Sequence, residues 1–188
     1  MRGNLSLVAA LGMFTCAASS HPGVFMKHTV QISTVGAVTE DGKQIGVTVG
    51  NGSGVAIVSD KKGEDPYCII LTAEHVIRDS NIILVKDHKG GELLGLVIKK
   101  DPKKDLALLL VPGLVCEPAK LAEEAPKIGD TIIVFGSPMA QSHGTTLSTG
   151  VVSSVVGPCV DAGEAGCFLA TAPVGPGSSG GPAFNEKG

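Results

Sequence analysis

The sequence is poor in charge of either sign. Of its 188 residues only 18% are Asp, Glu, Lys or Arg, and 15 basic against 18 acidic side chains leave a formal net charge of −3. So mild and slightly acidic a balance argues against nucleic acid or an anionic membrane surface as the main partner. No long segment carries a 3.6-residue apolar period, which excludes a helical bundle. There is no Cys-x-x-Cys and no close Cys/His spacing, so no metal site is expected. Aromatics are scarce as well, with no Trp, one Tyr and five Phe. Disorder is not the consequence, because 43% of the residues are hydrophobic and apolar runs recur along most of the length. What the chain has in quantity is glycine, 26 residues in all, set between short Val/Ile-rich runs. That combination points to an all-β chain with many tight turns, long enough for one ordinary domain or two small barrels sharing an interface.

Residues 1–20 read as a secretory signal peptide rather than as part of the fold. Arg2 supplies the positive start, Leu5 to Ala18 are mostly apolar, and Ala17, Ala18, Ser19 and Ser20 offer small residues for cleavage. The stretch is too short for a stable membrane span. Cys16 raises a lipid anchor as an alternative, but Met13-Phe14-Thr15 before it fit that poorly. Export places the chain in an oxidising compartment, periplasmic or extracellular. Cys159 and Cys167 then read as the bridged pair, closing a small Gly/Pro/Asp-rich loop worth about 2–3 kcal/mol. Cys68 and Cys116 either pair or remain buried thiols in β-runs. His21, His28, His88 and His143 are most simply surface histidines.

The mature part reads as short strands separated by turns. Candidates are 28–35, 44–49, 53–58, 67–71, 82–86, 93–98 and 105–111, forming a first barrel over residues 21–113. A Pro/Gly-rich stretch, 114–127, behaves as a linker. The candidates 131–135, 146–156, 167–171 and 181–184 belong to a second barrel over 128–188. Turn signals lie between them at Asp41-Gly42, Asn51-Gly52, Lys62-Gly63, Lys89-Gly90-Gly91 and Ala162-Gly163. Asn185 to Gly188 look like a hairpin turn with no returning strand, which would leave the preceding strand an unpaired edge. Truncation of the second barrel is the expectation.

Three segments carry residues fit for chemistry. Leu71-Thr72-Ala73-Glu74-His75-Val76-Ile77 sets a histidine just after an apolar strand, and Asp105-Leu106-Ala107-Leu108-Leu109 sets an aspartate at the entry to another. Gly177-Ser178-Ser179-Gly180-Gly181-Pro182 sets a serine in a glycine-rich turn. A serine hydroxyl is a weak nucleophile at neutral pH and needs a base within hydrogen-bond reach, for which histidine is suited. The base needs a carboxylate behind it to hold its tautomer and stabilise the imidazolium. A developing oxyanion needs preorganised donors, and the Gly177 and Ser179 amides can supply two. Each signal is weak alone. The order His75, Asp105, Ser179, closed by Pro182, makes them strong together.

Chain order removes two other serine-enzyme plans. Gly177-x-Ser179-x-Gly181 matches the nucleophile elbow of α/β-hydrolases, but there the acid and the histidine follow the serine. Only nine residues follow Ser179 here, none of them Asp or His. The subtilisin order needs an aspartate before the histidine and a helix starting at the serine, which Gly180-Gly181-Pro182 opposes.

On these residues the chain resembles a trypsin-like (chymotrypsin-fold) serine endopeptidase, nearest the bacterial Deg/HtrA branch, from about Thr29 to its end. Gly52-Ser53-Gly54-Val55 resembles the family's glycine-rich second hairpin. Asp101-Pro102-Lys103-Lys104-Asp105-Leu106-Ala107-Leu108 resembles its aspartate motif and selects Asp105. Residues 128–138 and 148–153 resemble the opening strands of the second barrel, and Ala172 to Pro182 the nucleophile loop, selecting Ser179. The resemblance implies two antiparallel Greek-key β-barrels, the second incomplete, and an acyl-enzyme mechanism without metal or organic cofactor. It implies extended polypeptide substrates, with Pro173, Val174 and Gly175 flooring an uncharged pocket for small or medium apolar side chains. It also implies a homo-oligomer, since Deg proteases often trimerise. Ser178 stands where trypsin has an aspartate, so activation by insertion of a new N-terminus is not expected. No PDZ-like domain is expected to follow, and at least two family strands beyond the nucleophile are expected to be missing. The alternative is therefore a catalytically silent barrel pair that binds extended peptides.

Overall fold

The computed structural model describes residues 22–138, 144–158 and 166–187. The chain enters through a 3-10 turn, Pro22–His28, and then builds β1 (Thr29–Glu40), β2 (Lys43–Asp60) and β3 (Tyr67–Thr72). One helical turn, α1 (Glu74–Ile77), precedes β4 (Ile82–Lys86), β5 (Glu92–Leu94), β6 (Leu96–Asp101) and β7 (Leu106–Pro112). After an irregular segment come β8 (Thr131–Gly136), β9 (Thr146–Pro158), β10 (Gly166–Ala170) and β11 (Ala183–Phe184).

Two antiparallel sheets result. The first has the order β5-β4-β1-β2-β3-β7-β6 and the second β10-β9-β8-β11. In the first, β5 and β6 lie at opposite edges, yet only Gly95 separates them in the chain. Neighbouring Cα atoms are about 3.8 Å apart, so the sheet must curl until its edges nearly meet. Such closure removes most of the exposed edge and encloses one core. Ile32, Ile70, Val85, Leu109 and Val111 fill it, all fully buried. The second sheet has four strands and stays open. The architecture is the all-β pair of barrels, the second incomplete, that the resemblance implies.

A second cluster joins the sheets. Phe25, Val55, Ile133, Phe135 and Phe184 pack together, with Phe25 stacked on Phe184 at 5.2 Å and Phe135 meeting Phe184 edge-on at 5.9 Å. Three of the five phenylalanines are thus spent where the sheets meet. His28, expected on the surface, is half-buried here. Its Nδ1 lies 2.8 Å from the Glu117 carbonyl and its ring 5.9 Å from that of Phe184. Beside it Lys27 pairs with Glu117, and the hydrogen bond and charge of Lys27 hold that carboxyl below its usual range.

Two local expectations are corrected. Asn51-Gly52 is not a turn: Asn51 pairs with Ser33 and Gly52 with Ile32 inside a single long β1–β2 ladder that turns at Asp41-Gly42. Gly52 is required instead by close approach, because a Cβ there would overlap both γ-methyls of Val76. Asp105 is not in a strand. Its φ of +52° ends the β6–β7 turn one residue before β7 begins.

The cysteines settle one of the alternatives the sequence left open. Cys68 on β3 is bonded to Cys116 in the segment after β7, across 48 residues. That segment is held to the first sheet a second time where the Ala119 amide donates to Ala56 O at 2.8 Å. Pairing of Cys68 with Cys116 could not be chosen over burial from sequence, since only the non-local pairing of β3 with β7, which sets Cys68 opposite Val111, brings the two together. Cys167 is disulfide-bonded too, while Cys159 lies outside the described residues. The signal-peptide and Cys16 readings, like His21, His143 and the Ala162-Gly163 turn, also lie outside them. Among the described residues no helix is long and apolar enough to cross a membrane.

Candidate active site

The site forms where the end of β3, α1, the β6–β7 turn and the Gly177–Pro182 loop converge. The apolar strand β3 ends at Thr72, and Ala73 in extended conformation starts the one-turn helix α1 that carries His75. Facing it, the left-handed backbone at Asp105 turns the residue's own carbonyl and side chain toward α1. Asp105 O accepts from the Glu74 amide at 3.1 Å, and Oδ1 accepts from the His75 amide at 2.8 Å. The second carboxylate oxygen, Oδ2, lies 2.6 Å from His75 Nδ1. A carboxylate can only accept, so Nδ1 carries the proton and Nε2 is left as the basic nitrogen. His75 keeps 47% of its side-chain surface exposed against 22% for Asp105, so the ring, more than the carboxylate, is open to an external group.

Glu74 was not singled out from sequence. Its side chain is buried and receives the Arg78 guanidinium through Nε at 2.8 Å and a second nitrogen at 2.7 Å. The hydrogen bond and charge of Glu74, with a lesser contribution from Asp105, hold Arg78 above the ordinary arginine value. This i,i+4 pair clamps the single turn that carries His75.

The loop bearing Ser179 is built on glycines that admit close contact. Gly177 and Gly180 have φ of +97° and +80°, a region side chains disfavour. A Cβ on Gly180 would collide with Thr72 Oγ1 and the Ser53 carbonyl, so the loop lies directly against the end of β3. Three carbonyls in succession are tied: Gly177 O accepts from Ser53 Oγ at 2.8 Å, Ser178 O from the Gly181 amide at 2.9 Å, and Ser179 O from the Ser53 amide at 2.8 Å. Among the described residues the Gly177 and Ser179 amides donate to no internal acceptor, which leaves both for an external oxygen. Ser179 itself is exposed. No hydrogen bond among the described residues joins its Oγ to His75. Such bonds are often long before substrate binds.

Sequence reasoning treated Ser53 only as part of a motif. It is fully buried and makes four hydrogen bonds, adding those from the Ser137 amide to its Oγ at 2.8 Å and from Thr72 Oγ1 to its carbonyl at 2.7 Å. Its position between two glycines, where neighbouring backbones come close, was the only available signal.

The expected pocket residues lie apart from the cavity beside Asp105. Pro173 and Val174 are exposed and Gly175 is half-buried, its carbonyl accepting from the Ser178 amide at 3.0 Å. That cavity, of about 310 Å³, is walled by Val55, Leu71, Leu106, Leu121, Pro182 and Phe184 among others. Among the described residues no group of three His, Cys, Asp or Glu could hold a metal ion.

Comparison with known proteins adds to this geometry. The trypsin-like peptidase domain matches residues 52–188. The "Probable periplasmic serine endoprotease DegP-like" of Pseudomonas putida is 35% identical over 139 residues, covering 73% of this chain and 27% of that protein. The "Serine protease Do-like HtrA" of Bacillus subtilis is 30% identical over 145 residues, covering 73% of this chain and 32% of its own length. The chain therefore spans about a quarter to a third of these curated relatives. Among solved structures, the HtrA-type protease AlgW with a tripeptide superposes with a TM-score of 0.72 at 20% identity, covering 90% of this chain and 51% of that one. At that identity the likeness concerns the fold.

Proposed function

The chain belongs to the trypsin-like peptidase domain family, and on that premise we propose that it is a serine endopeptidase of the Deg/HtrA type acting on extended polypeptides. Ser179 is the nucleophile. His75, protonated on Nδ1 by its bond to Asp105, takes the hydroxyl proton on Nε2 and passes it to the leaving amine. Asp105 holds the ring in that tautomer and stabilises the imidazolium. The Gly177 and Ser179 amides receive the oxyanion of the tetrahedral intermediate. Collapse expels the amine and leaves an acyl-enzyme on Ser179 Oγ. Water activated by the same histidine then releases the acid. Pro173, Val174 and Gly175 present no charge to the substrate, which favours small or medium apolar side chains before the scissile bond. By likeness to relatives named as periplasmic endoproteases, the site of action is the periplasm or the extracellular space.

The observation that carries this reading is the grip of one carboxylate on both the ring and the amide of His75, beside a loop with two unpartnered amides. The test is fluorophosphonate labelling with mass mapping of the adduct, run beside hydrolysis of an unfolded protein. Adduct on Ser179, lost together with hydrolysis in Ser179→Ala, is expected; a Ser179→Ala protein that cleaves at the parent rate would overturn the reading. A silent fold that binds extended peptides is the second reading, and the same labelling separates the two. Peptide binding with no adduct on the parent would select that second reading.

A further inference from the structure

We propose that Ser53 is the positioning residue of the oxyanion site, holding its donors in place through a bridge between the two sheets. The inference rests on Ser179 being the nucleophile, and it begins from where the Ser53 hydroxyl proton must go. Ser53 Oγ accepts from the Ser137 amide at 2.8 Å. An amide can only donate, so the hydroxyl proton is free for its other neighbour, the Gly177 carbonyl, also at 2.8 Å. Ser137 follows β8 in the second sheet, while Ser53 lies in β2 of the first. One buried hydroxyl therefore links both sheets to the nucleophile loop.

The consequence follows from peptide geometry. Each peptide unit is planar, so fixing its carbonyl fixes the plane. The unit between Gly177 and Ser178 is held on both sides, its carbonyl by Ser53 Oγ and its amide by the Gly175 carbonyl at 3.0 Å. The next unit is held by the Gly181 amide on Ser178 O, which directs the Ser179 N–H the opposite way. The Ser53 amide holds Ser179 O on the far side. Gly177 has φ of +97° and no side chain to resist rotation. Without the Ser53 hydroxyl its backbone can turn, and the Gly177 and Ser179 amides lose a restraint on their orientation. Ser53 touches neither substrate nor reacting atoms; it acts through Gly177 and Ser179.

The experiment measures fluorophosphonate labelling kinetics of the parent, Ser53→Ala and Ser53→Cys, separating the reversible binding constant from the maximal labelling rate. Melting curves and the proton resonance of the His75–Asp105 hydrogen bond are followed in parallel. Removal of an oxyanion donor typically costs about 100- to 1,000-fold, and misplacement should cost less. The maximal rate of Ser53→Ala is expected to fall about 10- to 100-fold with the binding constant unchanged. Ser53→Cys, which keeps a weak donor, should fall in between. Cooperative melting and the His75–Asp105 resonance should persist in both. A maximal rate equal to that of the parent, a change confined to the binding constant, or loss of cooperative melting in both variants would overturn the role. A parent that takes no label would overturn the nucleophile assignment instead.

Discussion

Asp105 holds His75 by two bonds from one carboxylate, Oδ1 to the main-chain amide at 2.8 Å and Oδ2 to ring Nδ1 at 2.6 Å. The first bond fixes where α1 begins relative to β7, and the second fixes the ring. Both depend on the left-handed backbone of Asp105, which turns the side chain back toward the helix instead of along the strand. Aspartate tolerates that conformation better than most residues.

Asp105→Asn should therefore leave the backbone in place and disable the base. An amide nitrogen facing Nδ1 donates where the carboxylate accepted, moving the ring proton to Nε2. On the proposed roles, Ser179 labelling and peptide hydrolysis should fall by about 10,000-fold while the melting temperature changes little. Pre-steady-state labelling beside a thermal melt checks this, and retention of the parent rate would refute it.

Gly52→Ala tests packing behind the base. The added methyl overlaps both γ-methyls of Val76, the residue after His75, and overpacking of this kind costs about 1–3 kcal/mol. Stability and labelling rate should both drop. Val76→Ala should restore part of each in the double variant, since it clears the space. A double-mutant cycle on stability provides the measure, and additive effects would show that the two residues do not meet.

Replacing Cys68 and Cys116 together by Ala should destabilise the protein without touching the site. The bridge spans 48 residues, for which chain entropy predicts about 4 kcal/mol, an upper figure when the unfolded chain keeps structure. Chemical denaturation of the parent and the double variant, each mapped for remaining disulfides, reads the difference. An equal stability would mean the bridge adds no constraint beyond β3 pairing and packing.

The residues of this site were legible to different depths. On the proposed roles, His75, Asp105 and Ser179 announce themselves by type, order and glycine context, because a weak nucleophile, its base and its acid must be different residues in a fixed relation. Ser53 and Glu74 do not. A buried serine and a buried glutamate look like any polar residue in a strand or a helical turn until their partners are known, and those partners are Gly177 and Ser137 for one and Arg78 for the other. Asn51-Gly52 misled for a related reason. The pair is a common turn signal, but pairing with Ser33 and Ile32 along a continuous ladder outweighs a local preference.

What the sequence alone determined is local: an all-β chain, most strand positions, the turn at Asp41-Gly42 and the residue types able to do acyl-transfer chemistry. These follow from side-chain period and from backbone preferences that neighbours within a few residues express. Only the tertiary structure decided which distant residues meet. Pairing of β3 with β7 puts Cys68 beside Cys116 and Asp105 beside His75, and the approach of the second sheet puts Ser137 and Gly177 on the Ser53 hydroxyl. Such contacts join residues 30 to 124 positions apart. Packing of one sheet on itself and on its neighbour selects them, and no local pattern encodes that selection.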